Sequence, residues 1–141
     1  DFIVGFPGEK DRDFADTIAL VNTVRYASAY SFKYSKRPGT PAANNDMQVD
    51  ERVKSERLAA LQQLLDAQQL AFNKSCEGTV MPVLIEREGS REGQMTGRSP
   101  FMQSVYLDGD SSMVGQIAEI SIEKGRQNSV LATAGSPISV Y

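Results

Sequence analysis

The feature that most limits the architecture is a change of periodicity near Ser75. Before it, apolar residues recur at helical spacing: Phe14, Ile18, Val21 and Val24 mark a helix from Asp11 to Arg25. A second, longer helix, which Asp50 can cap and which runs to about Asn73, carries Val53, Leu58, Leu61, Leu65 and Phe72 on one face, widened by Leu64 and Leu70. Beyond Ser75 the pattern becomes five short runs with β character: Thr79 to Ile85, Gln94 to Arg98, Ser104 to Leu107, Gln116 to Ile122 and Ser129 to Thr133. Turn signals separate them at Gly89-Ser90, Asp108-Gly109-Asp110 and Lys124-Gly125. Asp108-Gly109-Asp110 lacks the further oxygen ligands of a calcium loop and reads as a hairpin turn. The chain is therefore expected to be α/β over residues 1–75 and all-β over residues 76–141. Five short strands in about sixty residues suit a small closed barrel of the oligonucleotide-binding type.

In the front part, Phe2-Ile3-Val4 is a short apolar run, the pattern of a strand covered on both faces of a parallel sheet. Gly5-Phe6-Pro7-Gly8-Glu9 ends it. Two glycines around a proline allow close backbone approach to a ligand, and the helix start that follows favours an anion. The spacing is that of neither a phosphate loop nor a dinucleotide fingerprint, so a plain strand-to-helix turn stays open. After the first helix, aromatic and polar residues alternate from Tyr30 to Tyr34, a second strand, which stops in Ser35-Lys36-Arg37-Pro38-Gly39-Thr40-Pro41. Pro38 and Pro41 fix φ, and Gly39 opens angles that other residues avoid, so this basic turn is shaped. A strand-helix-strand unit with parallel strands puts Gly5 to Glu9 and Ser35 to Thr40 on one carboxyl edge, where α/β barrels and open sheets place ligand sites. The charged residues Glu51, Arg52, Lys54, Glu56 and Arg57 read as the solvated face of the long helix. Asp1-Phe2-Ile3-Val4-Gly5 reads as the middle of a buried strand, which predicts that the chain is the C-terminal piece of a longer protein.

Composition excludes much chemistry. With no histidine and one cysteine, there is no Ser-His-Asp triad, no Cys-His pair, no histidine metal site, no cysteine cluster and no internal disulfide. Any catalysis needs carboxylates or a partner segment, and Cys76 reads as inert packing. The chain is 40% hydrophobic and 23% charged, as in soluble globular proteins, and its formal net charge of -3 leaves nucleic-acid binding to local basic patches. The apolar start is too short for a secretory signal and no run of about eighteen apolar residues exists, so a cytosolic address without a membrane span is expected.

Asp1-Phe2-Ile3-Val4-Gly5-Phe6-Pro7-Gly8-Glu9, Asp13-Phe14 and Phe32-Lys33-Tyr34-Ser35-Lys36-Arg37-Pro38-Gly39-Thr40-Pro41-Ala42-Ala43 resemble the closing part of a radical S-adenosylmethionine (SAM) methylthiotransferase domain. The resemblance continues through Arg57-Leu58, Leu61-Gln62 and Phe72-Asn73 in the helix. Gly78, Gly97-Arg98-Ser99-Pro100, Val114-Gly115 and Asn128-Ser129 look like that family's C-terminal TRAM domain. Together these motifs cover essentially the whole chain. They imply the C-terminal part of a radical SAM partial (β/α) barrel over residues 1–75, followed by a small five-stranded OB-like TRAM β-barrel over residues 76–141. Within the family, Phe32-Lys33-Tyr34-Ser35 followed after one residue by Arg37-Pro38-Gly39-Thr40-Pro41-Ala42-Ala43, together with Arg98-Ser99-Pro100, looks most like the tRNA-modifying branch; branches that modify a ribosomal protein tend to be acidic where this chain has Lys36-Arg37-Pro38.

The resemblance implies a transferase that adds a methylthio group to C2 of N6-dimethylallyladenosine next to the anticodon, using S-adenosyl-L-methionine and two 4Fe–4S clusters. The cluster cysteines belong to sequence not present here, so the fragment is expected to be inactive alone, with no catalytic or metal-ligating residue of its own. Gly5, Phe6, Pro7, Gly8 and Glu9 would lie near S-adenosylmethionine, with Tyr34, Ser35, Arg37, Pro38 and Gly39 around the same cleft. Lys10 stands where the family usually offers a threonine cap, and Asp11 is expected to cap instead, one residue later. The TRAM resemblance implies binding to tRNA at its anticodon stem-loop. From Cys76 onward acidic residues outnumber basic ones, yet Arg98 first, then Arg87, Arg91, Lys124 and Arg126, can converge on one rim and contact phosphates. Tyr106 or Phe101 either stacks on a base or belongs to the barrel core. A sulfur donor is a further implied partner, and a monomer is expected. Competing functions are a methylthiotransferase acting on threonylcarbamoyladenosine tRNA or on a ribosomal protein, and a stand-alone RNA-binding module. An exposed apolar strand at Phe2 to Val4 weighs against the last.

Overall fold

At the front of the chain, two three-residue strands, β1 (Phe2–Val4) and β2 (Ser31–Lys33), pair in parallel with Phe2 opposite Ser31 and Val4 opposite Lys33. The computed structural model describes residues 1–135 and 139–140, with the backbone alone for Val140, and it divides into two units, Asp1–Gln68 and Gln69–Tyr141. Parallel strands require a crossover, and helix α1 (Asp11–Val24) supplies it. Lys10 is its N-cap, and the Asp13 carboxylate accepts from the Lys10 backbone N–H at 2.9 Å. Asp11, expected to cap, is instead the first helical residue. The helix ends where Arg25 enters the left-handed region at φ 54° and its N–H donates to the Val21 carbonyl at 3.0 Å.

Val4, Val21, Leu61 and Leu65 form the buried centre of the first unit, with Phe2, Phe14, Ile18, Leu58 and Leu64 packed around them. Side chains of a strand alternate between faces, so Ile3 and Phe32, partners in the register, project the other way and remain 59% and 52% exposed. Strand β1 is thus covered on one face within this unit, rather than on both as its apolar run suggests. Helix α2 (Glu51–Ser75) starts where Asp50 Oδ1 accepts from the Arg52 N–H at 2.9 Å, the expected cap. Its buried positions in the first unit are Lys54, Arg57, Leu61, Leu65 and Gln68, a single stripe at helical spacing. The solvated face expected for the charged start of α2 is therefore wrong for two residues: Glu51, Arg52 and Glu56 are exposed, but Lys54 and Arg57 are buried.

The second unit is a β-barrel of β3 (Val80–Glu88), β4 (Gln94–Arg98), β5 (Ser104–Asp108), β6 (Ile117–Gly125) and β7 (Ser129–Ala132). The strands run in the order β3-β4-β5-β7-β6 and close through pairing of β6 with β3, the five-stranded barrel that the sequence predicts. A short strand β8 (Ser139–Val140) adds to β6. Period-two alternation sends Met81, Val83, Ile85, Met95, Val105, Leu107, Ala118, Ile120, Ile122 and Val130 inward, and Cys76 joins them as packing. Two expected turns differ. Lys124 and Gly125 lie inside β6, and the reversal falls at residues 126–128, where the Arg126 N–H donates to the Ser129 carbonyl at 2.8 Å. Asp108-Gly109-Asp110 does not close a hairpin, because β5 pairs with β7 in parallel and β6 with β3. The chain must cross there, and Asp110 instead caps a 3-10 turn, Ser111–Met113, by accepting from the Ser112 N–H at 2.8 Å. Among the described residues no helix is long and apolar enough to cross a membrane.

Leu61 is fully buried, whereas Leu20 on α1 is 51% exposed. Leu61→Ala is expected to cost the first unit about 2–5 kcal/mol, and Leu20→Ala less than about 0.5 kcal/mol. Urea unfolding followed by near-ultraviolet signals of the first unit's tyrosines checks the contrast.

Candidate functional site

Because β1 and β2 are parallel and in register, the loops at their carboxyl ends emerge side by side. The first loop needs glycine at Gly5, whose φ is +72° and where a Cβ would stand 2.4 Å from Lys54 Cγ. Gly8 N–H then donates to the Met47 carbonyl and Glu9 N–H to the Phe6 carbonyl, at 2.8 and 2.9 Å. The second loop leaves the sheet through Tyr34, whose N–H donates to the Val4 carbonyl at 2.8 Å. Its Pro38-Gly39 turn is fastened by Thr40, whose N–H and hydroxyl donate to the Arg37 carbonyl at 3.2 and 2.8 Å. The rings of Phe6 and Tyr34 meet edge to face with centroids 5.3 Å apart, joining the two loops. The ten residues implied around the cleft are thus gathered at one sheet edge. Gly5, Pro7 and Tyr34 are buried, Gly8 and Glu9 half-buried, and Phe6, Ser35, Arg37, Pro38 and Gly39 exposed.

What holds these loops is not what the sequence suggests. The buried Arg57 guanidinium donates to the Glu9 carbonyl at 3.1 Å, to Glu9 Oε1 at 2.8 Å and to Asp11 Oδ1 at 2.9 Å. The same Oε1 accepts from the Gly5 N–H at 2.8 Å, so one carboxylate oxygen ties the start of the loop, its end and α2 together. Burial alone would lower the Arg57 pKa, but hydrogen bonds to Asp11 and Glu9 outweigh it and hold the pKa above its ordinary value. Buried Lys54 does the same for the second loop, donating to the Tyr34 carbonyl at 3.4 Å and standing 5.4 Å over the Tyr34 ring. Its ammonium is paired with Glu51 Oε1 at 2.8 Å. Hydrogen bonds from Lys54 and then from Lys33 hold the Glu51 carboxyl below its usual range. The Glu9 carboxylate is therefore a strut of the loop. The Tyr34 hydroxyl is buried with no hydrogen-bond partner, and no ion pair involves Arg37 among the described residues.

In the second unit, the outward positions of β4 and β5 carry Gln94, Arg98, Ser104 and Tyr106. A groove of about 390 Å³ lies at one end of this face, lined by Arg91, Gln94, Tyr106, Asp108, Glu123 and Arg126. Of the five cations expected on one rim, the structure brings together Arg91, from the β3–β4 turn, and Arg126, from the β6–β7 turn. Arg98 sits at the far end of β4, where it donates to Glu86 Oε2, the Met102 carbonyl and Ser104 Oγ, each at 3.3 Å. Arg87 and Lys124 are exposed and outside the groove. Tyr106 is half-buried on the groove wall and so is not core, while Phe101 packs edge-on against Phe72 with centroids 5.1 Å apart. An aromatic wall with two guanidinium groups at its rim can stack a base and contact phosphates.

Arg57→Met leaves the Glu9 carboxylate desolvated without its countercharge and is expected to destabilise the first unit by about 3–5 kcal/mol. Arg57→Lys should recover only part of this, because an ammonium cannot span Glu9 and Asp11 as a planar fork does. Unfolding of Arg57→Met within about 0.5 kcal/mol of the parent in urea would contradict the strut.

Residues 74–134 match the family model described as the TRAM domain. The chain is 56% identical over 130 residues to a protein of Maricaulis maris named tRNA-2-methylthio-N(6)-dimethylallyladenosine synthase, covering 92% of this chain and 28% of that protein. Proteins of the same name from Rickettsia felis and Rickettsia canadensis are 55% and 51% identical over 131 residues, again 92% of this chain and 29% of theirs. The chain thus spans less than a third of the length of these relatives.

Proposed function

With residues 74–134 taken as a TRAM domain, we propose that this chain is the C-terminal region of a tRNA methylthiotransferase. The whole enzyme adds a methylthio group to C2 of N6-dimethylallyladenosine beside the anticodon. The observation that carries this is identity of 51–56% running through 92% of the chain, both units included, to enzymes of that name. Residues 1–75 belong, on this proposal, to the closing part of a radical SAM (β/α) barrel, and residues 76–141 bind RNA.

The edge formed by Gly5 to Glu9 and by Tyr34 to Gly39 fits S-adenosylmethionine in its chemistry. It offers loops in left-handed conformations at Gly5, Gly8 and Gly39 and, among the described residues, a buried tyrosine hydroxyl without a partner and an unpaired guanidinium at Arg37. When bound, S-adenosylmethionine supplies the radical chemistry of the family. On this proposal Phe6, Pro7 and Pro38 shape the edge and Ser35 and Tyr34 offer hydrogen bonds. Glu9 keeps the first loop in place through Arg57. Two 4Fe–4S clusters complete the enzyme from other segments, since Cys76 is in the barrel core. A sulfur donor, monomeric state and cytoplasmic location complete the proposal.

In the TRAM domain, Arg91 and Arg126 take phosphates of the anticodon stem-loop and Tyr106 stacks, while Arg98, Arg87 and Lys124 flank the path. The 141-residue chain is expected to bind a synthetic anticodon stem-loop RNA with affinity that falls as salt rises. Arg91→Ala should flatten the log–log salt slope by about one, and Lys124→Ala by less. For the activity, nucleosides of tRNA from cells lacking the gene should show no methylthio group on dimethylallyladenosine, restored by the whole enzyme and not by this chain. Persistence of that modified nucleoside in the deleted cells would refute the substrate.

A further inference from the structure

Asn73 is 2% exposed and lies in the last turn of α2, within the second unit. Its amide hydrogens go to backbone carbonyls: Nδ2 donates to Arg126 O at 2.7 Å and to Gln127 O at 3.3 Å. Its oxygen accepts from Gln103 Nε2 at 2.8 Å, and Gln103 Oε1 accepts from the Ser99 hydroxyl at 2.8 Å. A second amide acts on the same turn, since Gln69 Nε2 donates to Gln127 O at 2.7 Å. The approach is close: a Cβ on Gly125 would stand 2.2 Å from the Asn73 carbonyl carbon and oxygen. Glycine is what lets the β6–β7 turn press onto the helix.

The turn held in this way is the one that carries Arg126 into the groove. A carbonyl is the negative end of its peptide dipole, and a turn beside a polyanion is weakened by every carbonyl aimed at it. Asn73 and Gln69 aim those of Arg126 and Gln127 inward. A buried amide whose donors both go to one turn and whose oxygen is held by Gln103 is also costly to remove, so the turn has little freedom.

We propose that Asn73 is a positioning residue for RNA: it latches the carbonyls of Arg126 and Gln127 inward and so fixes the Arg126 guanidinium over the groove, an inference that rests on the RNA reading of that groove. Asn73 itself touches no RNA.

Asn73→Asp tests this in the whole chain, because it keeps size and the oxygen that Gln103 uses while replacing the donor to the turn with an acceptor. Three results are expected. The Arg126 amide, which donates to Ser129, exchanges faster with deuterium in the free protein. Affinity for the anticodon stem-loop RNA falls roughly tenfold and the salt slope flattens by about one, as for Arg126→Ala. Adding Arg126→Ala to Asn73→Asp weakens binding less than about twofold further, because both changes remove one contact. A merely structural Asn73 would lower the unfolding temperature yet leave the salt slope and the Arg126→Ala effect intact, and that outcome overturns the latch alone. Wild-type chain that does not bind the RNA, or binds it without loss in Arg126→Ala, overturns the groove and the latch with it. If Asn73→Asp fails to fold, Gln69→Ala, which removes only the outer hydrogen bonds to the turn, takes its place: non-additivity with Arg126→Ala supports the latch, and full additivity overturns it.

Discussion

A guanidinium taken out of water must recover its hydrogen bonds from protein, and Arg57 recovers them from the segment that follows β1. The cost of desolvating a charge is several kcal/mol, offset only where geometry is close and hydrogen bonds to the countercharge are made. Arg57 makes three hydrogen bonds, from Nη1 to the Glu9 carbonyl and carboxylate and from Nη2 to the Asp11 carboxylate, while the same Glu9 carboxylate oxygen accepts from the Gly5 N–H. The ion pair and the loop conformation are therefore one element. Lys54, one turn earlier on α2, presses its methylenes under Gly5 and its ammonium under Tyr34. Two cations thus serve as fasteners for two loops, and the exposed groups at that edge inherit their positions from a helix whose outward face is ordinary.

The second unit is organised on a different principle. Its strands close on themselves, so no core-forming edge is left open between β3 and β6, and an apolar interior sets the register. Polar pins are kept for the ends, where connections must cross. Asp110 caps the 3-10 turn between β5 and β6, and Asn73, Gln103 and Ser99 brace the turns at the other end. The β4–β5 face lies between these braced ends, which lets an acidic domain assemble one groove where two arginines and a tyrosine meet beside Asp108 and Glu123. Net charge does not forecast such a groove; turn geometry does.

Elements with a regular apolar period were legible in the sequence. Alternation located Gln94–Arg98 residue for residue, helical spacing located α1 and α2, and strand-helix-strand logic placed the two loops on one edge. What was not legible has a common cause: partners far away in the chain. Arg57 is 48 residues from Glu9, so nothing near it in sequence marks it as buried, and hydropathy reads it as solvated. The stripe was nonetheless there, since Lys54 and Arg57 continue the spacing of Leu61 and Leu65; charged residues on the axis of an apolar stripe are the signal to heed. The missed hairpin at Asp108 to Asp110 and the misplaced turn at Lys124-Gly125 arose in the same way, because local turn residues do not reveal which strand will be the neighbour. Arg98, the leading RNA contact expected from its motif, lies away from the groove at the far end of β4, partly exposed beside Glu86 on the adjacent strand.

Any ligand site on the first unit depends on the two loops sharing one edge, and solution NMR of the whole chain tests that most directly. Parallel pairing of β1 with β2 predicts nuclear Overhauser contacts between the rings of Phe6 and Tyr34, together with a Tyr34 amide strongly protected from exchange by its bond to the Val4 carbonyl. Absence of those ring contacts, with a Tyr34 amide that exchanges like an open chain, would contradict it.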